Sequence, residues 1–429
     1  MAGLTLYIKV VKELITPQEQ GPAINERLLL LVLAAIQFTA TVDFLIILPL
    51  GPQYMRVFGI TPGQFGVIVS AYAISAGISG VTTGAFLDRF DRKRALLALY
   101  FGFSLGTLFC ALAPSYHLLV ASRVVAGGFG GVAGALILAI IGDVVPEERR
   151  GAAMGLVMSS FSVASICGVP LGLLLATSLD WHLPFFVLAV LSFGILALSA
   201  RILPALRGHL HHALDQHPLR RMMGVLSRQD HQMAFLFMAL LSFTGFIIFP
   251  NVANYMVWNV GLTEKQLPLI YLAGGLCTVF SMNWIGRWAD RAGKLRVFTL
   301  MSLSATVPIL LLTNLPRVSL AAAVGTSTLL MVCMSGRFVP AMALMTASIE
   351  PRFRGGFMSI NSSVQQFACG LAAYISGQIL TQRPNGELVR FPLLGLASLT
   401  CAVSCIYLAR FLKLPESSES SVQPLPVEG

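Results

Sequence analysis

Polarity along the chain changes in long blocks. Apolar runs, each near the ~20 residues that an α-helix needs to cross a bilayer, alternate with short polar connections. Twelve spans are predicted, over residues 28–50, 62–86, 95–113, 117–141, 151–178, 183–203, 232–258, 267–287, 296–314, 318–345, 355–380 and 391–412. The long polar segment 206–231 is basic, holds His209, His211, His212 and His217, and separates six spans from six. The expected fold class is an all-α membrane protein with an N-terminal segment 1–27 and a six-helix bundle 28–205. A linker 206–231, a second six-helix bundle 232–413 and a Ser-, Glu- and Pro-rich disordered tail 414–429 complete it.

The connection between the second and third runs is the most densely charged stretch. In Gly84-Ala85-Phe86-Leu87-Asp88-Arg89-Phe90-Asp91-Arg92-Lys93-Arg94, the last seven residues carry six charges, so they lie in water between two membrane helices. The pattern recurs 202 residues later as Gly286-Arg287-Trp288-Ala289-Asp290-Arg291-Ala292-Gly293-Lys294-Leu295-Arg296, close to half the chain. Pro146-Glu147-Glu148-Arg149-Arg150-Gly151 is echoed in the same way by 351–356. One structural unit is used twice. Small residues at every fourth position, Ala76, Gly80 and Gly84 and then Gly127 and Gly131, prepare helix faces for close approach.

Composition fixes the solvent. The chain of 429 residues is 56% hydrophobic and 11% charged, with a mean hydropathy of +0.78, against about 25% charged residues in soluble domains. It is a multi-pass membrane protein. The net charge of +10 does not point to nucleic acid, because the basic residues sit in short interhelical loops with no aromatic interleaving. With both termini placed in the cytoplasm, the inner loops hold sixteen Lys and Arg residues and the outer loops five, Arg56, Lys265, Arg317, Arg383 and Arg390. This bias sets the expected orientation. The seven cysteines are odd in number, lie in apolar segments and form no CxxC, so neither a disulfide framework nor a metal site is expected. No secretory signal peptide is expected at the N-terminus.

Charges inside the spans are few: Asp43, Arg123 and Arg337. A charge in the membrane interior is costly, so each is a candidate functional group. Asp43 is the one carboxylate well inside a span. It lies about 10 Å before the end of its helix, and Arg123 a similar distance past the start of the fourth, so the two are expected at one level. A low-dielectric interior favours the neutral acid and a nearby arginine favours the carboxylate, a balance suited to taking and releasing a proton. Arg337 is expected to gate, to bind substrate or to strut between helices. Gln37, Phe38, Asn251, Asn254, Tyr255 and Gln365 are candidates for a substrate cavity, although polar residues in membrane helices usually serve packing. No Gly-x-Ser-x-Gly, His-Glu-x-x-His or phosphate-cradling Gly-Lys-Ser/Thr motif is present. No cofactor is expected, and an ion gradient rather than ATP is the expected energy source.

These residues resemble the major facilitator superfamily, and within it the twelve-helix drug:proton antiporters and bacterial efflux permeases. Gly84, Asp88, Arg89, Arg92 and Lys93 are similar to the family's loop motif between helices 2 and 3. Arg123 and Gly127 are similar to its helix 4 motif, and Gly168-Val169-Pro170-Leu171-Gly172 to a shortened antiporter motif in helix 5. The resemblance implies two pseudo-symmetric bundles that rock about a midplane site to give alternating access. It also implies a conformational gate built from Gly84, Asp88, Arg89, Arg92 and Asp143, with Gly286, Asp290 and Arg291 as its second copy. The function implied is proton-coupled efflux of small organic or amphipathic compounds by a monomer in the inner membrane. A facilitator or symporter for a sugar or other metabolite is the first alternative. A membrane enzyme or non-transporting sensor is the other, which would need a nucleophile–base pair or metal cluster.

Overall fold

The computed structural model describes residues 26–84, 90–204, 206, 223–350 and 353–412. The first six crossings are built from α1 (Glu26–Ile46), α2 (Gly51–Phe58), α3 (Pro62–Gly84), α4 (Arg92–Ala111), α5 (Tyr116–Val144), α6 (Glu147–Val163), α7 (Val169–Ser178) and α8 (His182–Ile202). The second six use α9 (Gln229–Phe246), α10 (Phe249–Tyr255), α11 (Leu267–Ala292), α12 (Lys294–Ser304), α13 (Thr306–Thr313), α14 (Leu320–Ala347), α15 (Arg354–Ile379) and α16 (Phe391–Ala409). A π-helical turn, Ala164–Gly168, joins α6 to α7, and a second, Met256–Val260, continues α10. A small antiparallel hairpin of β1 (Thr381–Gln382) and β2 (Leu388–Val389), not expected from the sequence, precedes α16.

Among the described residues, eleven helical segments are long and apolar enough to cross a membrane. The twelfth crossing is α15, which has the length, 26 residues, but carries Asn361, Ser362, Ser363, Gln365 and Gln366. The first predicted span, 28–50, divides in two. Pro49 has no N–H to continue a helix, so α1 ends at Ile46, the chain turns, and α2 restarts at Gly51-Pro52. The seventh span breaks in the same place, with α9 ending at Phe246 and α10 restarting at Phe249-Pro250. Proline in a first turn suits a helix start. Residues 1–25, most of the linker (207–222) and 413–429 lie outside the described residues.

We call the end at which α1 begins and α16 finishes the terminal end, and the opposite one the far end. The apolar cores differ between them. At the far end one core joins both halves, with Ile46, Leu50 and Tyr54 packed in the same cluster as Ile247, Val252 and Phe391. Toward the terminal end the halves have separate cores, one around Leu33, Phe103 and Ile137 and the other around Phe237, Phe298 and Leu344. A single apolar core thus joins the halves at the far end, while toward the terminal end their apolar cores are separate. Between the halves, α3 and α15 run together, with the Gly66 and Gly377 backbones touching: a Cβ on Gly66 would lie 2.8 Å from the Ala373 carbonyl oxygen. A bidentate ion pair crosses the far end, Arg56 Nη1 to Glu264 Oε1 at 2.5 Å and Nη2 to Oε2 at 3.1 Å.

Within the first half, α5 crosses α3 where Gly127 meets the Tyr72 backbone. A Cβ on Gly127 would overlap the Tyr72 carbonyl oxygen, whereas one on neighbouring Gly128 meets nothing within 4 Å. Gly127→Ala is therefore expected to destabilise the protein by about 1–3 kcal/mol through overpacking. Gly128→Ala is expected to be neutral or to stabilise by up to ~1 kcal/mol through helix propensity. Thermal midpoints of the two purified variants read the difference, and equal responses would remove the crossing as a constraint.

Candidate functional site

Asp43 and Arg123 meet at the centre of the first half. Asp43 sits one turn before the end of α1, and Arg123 two turns into α5, which runs the opposite way. Arg123 Nη1 donates to Asp43 Oδ2 at 2.7 Å, and both side chains are fully buried. Thr107 Oγ1 on α4 donates to Asp43 Oδ1 at 3.1 Å. The guanidinium lies over the Tyr72 ring of α3, with Cζ 4.4 Å from the centroid. Its Nε and Nη2 have no hydrogen-bond partner, so the aromatic face is what meets the remaining positive edge. Four helices contribute one side chain each to this cluster.

The antiporter-like segment braces it. Pro170 stands just past the π-helical turn Ala164–Gly168; it has no N–H to donate back to Ile166, which accounts for the irregular turn there. Gly168 and Gly172 then bring the π turn and α7 onto α1 at Val42 and Ile46, on either side of Asp43, where any Cβ would collide. Phe38 packs beside Val42, Ala164 and Leu188. Gln37 Nε2 reaches Thr41 Oγ1 at 3.5 Å, and its Oε1 faces Gly134 of α5.

The other predicted cavity residues are not gathered here. Asn251 Nδ2 donates to Ser376 Oγ at 2.9 Å and Asn254 Nδ2 to Asn251 Oδ1 at 3.0 Å, both buried in the far-end seal. Tyr255 donates to the Leu315 carbonyl at 3.0 Å and stacks on Phe391. Gln365 is partly exposed on α15. Arg337 is buried in the second half with no ion pair among the described residues. In the gate, Arg92 Nε is hydrogen-bonded to Asp143 Oδ2, while Asp88 and Arg89 lie outside the described residues. Gly84 ends α3; Gly286 faces Val339 of α14, and Asp290 and Arg291 are exposed on α11. The linker histidines also lie outside the described residues, and no group of metal ligands occurs among those that are described.

Sequence reasoning missed Thr107 and Tyr72 in the cluster and the Arg56–Glu264 pair at the far end. Thr107 carried a signal, a hydroxyl near the middle of an apolar span. Arg56 and Glu264 are loop-proximal charges 208 residues apart, and nothing local connects them.

The sequence matches the family model described as Major Facilitator Superfamily over residues 33–221 and 234–427. It is 24% identical to the uncharacterized MFS-type transporter YceJ of Bacillus subtilis (strain 168), over 80% of this chain and 87% of that protein. It is 28% identical to the chloramphenicol resistance protein of Streptomyces lividans, over 61% of this chain and 67% of that protein. Among solved structures it resembles a bacterial homolog of the human lysosomal transporter Spinster in an inward-facing, unoccupied conformation. That match has a TM-score of 0.69 and 15% identity, and covers 91% of this chain and 95% of the other.

Removing one member of a buried ion pair strands the other, at a cost of about 3–5 kcal/mol. Asp43→Ala and Arg123→Ala should each lose about that much stability, while Asp43→Ala/Arg123→Ala loses less than their sum, with a coupling of at least ~1 kcal/mol. A double-mutant cycle on unfolding of the purified protein measures the coupling; additive losses would mean the two side chains are neighbours without interaction.

Proposed function

The chain belongs to the Major Facilitator Superfamily and is a multi-pass membrane transporter; from that premise we propose that it exports small organic compounds in exchange for protons, with Asp43 carrying the proton. The observation that carries this reading is the Asp43–Arg123 pair, an ion pair within the spans whose two side chains are both fully buried. The name of the Streptomyces lividans relative, a chloramphenicol resistance protein, supports efflux as the direction. The excess of Lys and Arg at the terminal end supports a cytoplasmic location for that end. A far end sealed by a core common to both halves, with separate cores at the cytoplasmic end, supports an inward-facing state.

In this reading the pair is a switch. A proton placed on Asp43 Oδ2 removes the negative charge that Arg123 Nη1 is bonded to. The guanidinium is then released to reorient, and α1 and α5 are no longer clamped at this level. Substrate bound in the cleft stabilises one state and the protonated acid the other, which is how a gradient does work through alternating access. Gly168 and Gly172 hold the helix-5 segment against α1, so a shift of α1 around Asp43 is passed to the seam with the second half. The Arg92–Asp143 pair belongs to the terminal-end gate, and the Arg56–Glu264 pair to the far-end gate. The Arg56–Glu264 pair joins the two bundles, whereas Arg92 and Asp143 both belong to the first, and the proposed bundle boundaries are 28–205 and 232–413.

The test is pH-gradient-driven accumulation in proteoliposomes, starting with chloramphenicol among candidate compounds. Asp43→Asn is fixed in the neutral state, so net accumulation should fall to the level of empty vesicles while gradient-independent exchange survives. Full gradient-driven accumulation by Asp43→Asn would exclude Asp43 as the proton carrier and favour a facilitator. A second expectation concerns the far-end gate. Glu264→Gln removes one charge of a partly exposed pair, worth about 0.2–1 kcal/mol, and should shift the population toward the outward-open state by up to about fivefold. Labelling of a cysteine placed at Asn254, now buried in the seal, should speed up accordingly; an unchanged rate would mean the pair does not hold the gate.

A further inference from the structure

Arg337 is the buried charge that this mechanism does not use. It lies on α14, ten residues before the helix ends at Ala347, or about 15 Å into the membrane-spanning segment. Only 2% of its surface is accessible, and Nε and Nη1 have no hydrogen-bond partner. Its surroundings offer no counter-charge. One turn away on either side are Cys333 and Ala341, and the titratable groups around it, the thiols of Cys405, Cys333 and Cys401, are neutral. The second half has five described carboxylates, Asp230, Glu264, Asp290, Glu350 and Glu387, and all stand at helix ends or in loops. Asp43 is already committed to Arg123.

An isolated buried guanidinium is costly, and a protein that retains one normally supplies an anion or an internal acid. Among the described residues of the second half, no acid stands at this depth. We propose that Arg337 is an anion-binding point in the second half, and that its partner is a small monovalent anion from outside the chain: a halide, or the carboxylate of an organic substrate. Arginine suits either, since its fork of N–H donors matches a carboxylate in bidentate fashion and its charge persists in a dry site. Pro340, three residues on, leaves the Gly336 carbonyl without its helical donor and gives α14 a point at which to flex around a guest. The carboxylate form deepens the transport reading and rests on it, by making the exported compound an acid; the halide form stands without it.

The test uses the full chain, purified in detergent in sodium sulfate, whose anion is neither a halide nor a carboxylate, with unfolding followed by intrinsic tryptophan fluorescence. Sodium chloride and sodium benzoate are each added at constant ionic strength. At about ten times the dissociation constant, a bound anion should raise the midpoint by about 2 °C or more. A rise with both salts assigns a halide-type site, and a rise with benzoate alone assigns an organic carboxylate site. Arg337→Gln should abolish the rise, and Arg337→Lys should keep part of it. Arg337→Met, which removes the stranded charge at similar length, should be at least as stable as the unsubstituted protein in sulfate and insensitive to both salts. The proposal is overturned if neither salt shifts the unsubstituted protein, if the shift persists in Arg337→Gln, or if Arg337→Met is equally destabilised in every salt, as a structural strut would be. Because binding is read without transport, failure of the proton-exchange test leaves this result intact, and the reverse also holds.

Discussion

The fully buried ion pair between Asp43 and Arg123 is the constraint around which the first half is built. Taking both charges out of water costs several kcal/mol each, and their attraction offsets that only with good geometry and with the remaining polar atoms engaged. The surrounding helices supply those conditions for the carboxylate and an aromatic face for the guanidinium, whose Nε and Nη2 have no hydrogen-bond partner. The second carboxylate oxygen takes the Thr107 hydroxyl, and the guanidinium lies on Tyr72. Helices α1, α3, α4 and α5 are therefore fixed relative to one another by chemistry at a single level. The close crossing at Gly127, one turn beyond Arg123, brings α5 near enough to α3 for the Tyr72 ring to lie beneath the guanidinium.

The two ends of the molecule are held by different kinds of interaction. The far-end seal is mainly apolar packing, a single core drawn from both halves, with a few polar ties. Arg56 in the ion pair across it is more than half exposed, so that pair contributes only a fraction of a kcal/mol to about 1 kcal/mol. Dispersion and burial are non-directional, so a seal made of them can be lost at one end and rebuilt at the other with little net change. A transporter needs that near balance. A far end tied by many buried hydrogen bonds would stay shut.

The Asp43–Arg123 pair was legible in the sequence because a charge in an apolar span is rare, and because helix rise alone places two such charges at the same depth. The repeated loop motif was legible because its spacing is exact to the residue at Gly, Asp-Arg and the final Arg. The cavity residues were not. Asn251, Asn254 and Tyr255 are polar positions in a span, but a side chain that lines a cleft and one that ties two helices have the same composition. Only the partners, Ser376, Asn251 and the Leu315 carbonyl, separate them. Helix ends were displaced where proline intervenes. Span 1 was drawn to residue 50 by hydropathy, which counts Pro49 as compatible with the run while backbone hydrogen bonding does not.

The polarity of α15 follows from the same alternation. By hydropathy it does not stand out as a membrane helix, yet it crosses with the others and packs along α3. A helix that faces only lipid and core can be apolar all round. One that forms the seam between two bundles meets the partner helix in one state and water in the other at part of its length. Asn361 is now buried with its Oδ1 lacking a partner, and Ser363 presses against Gly80 of α3. Asn361 is two residues from Ser363, on the side of the helix away from α3, and buried without a partner its Oδ1 costs about 1–3 kcal/mol. The side of α15 that meets α3 is built from small and hydroxyl-bearing residues, Ser363, Gly370 and Gly377, which let the two helices lie close together and lower the hydropathy of the helix without keeping it from crossing.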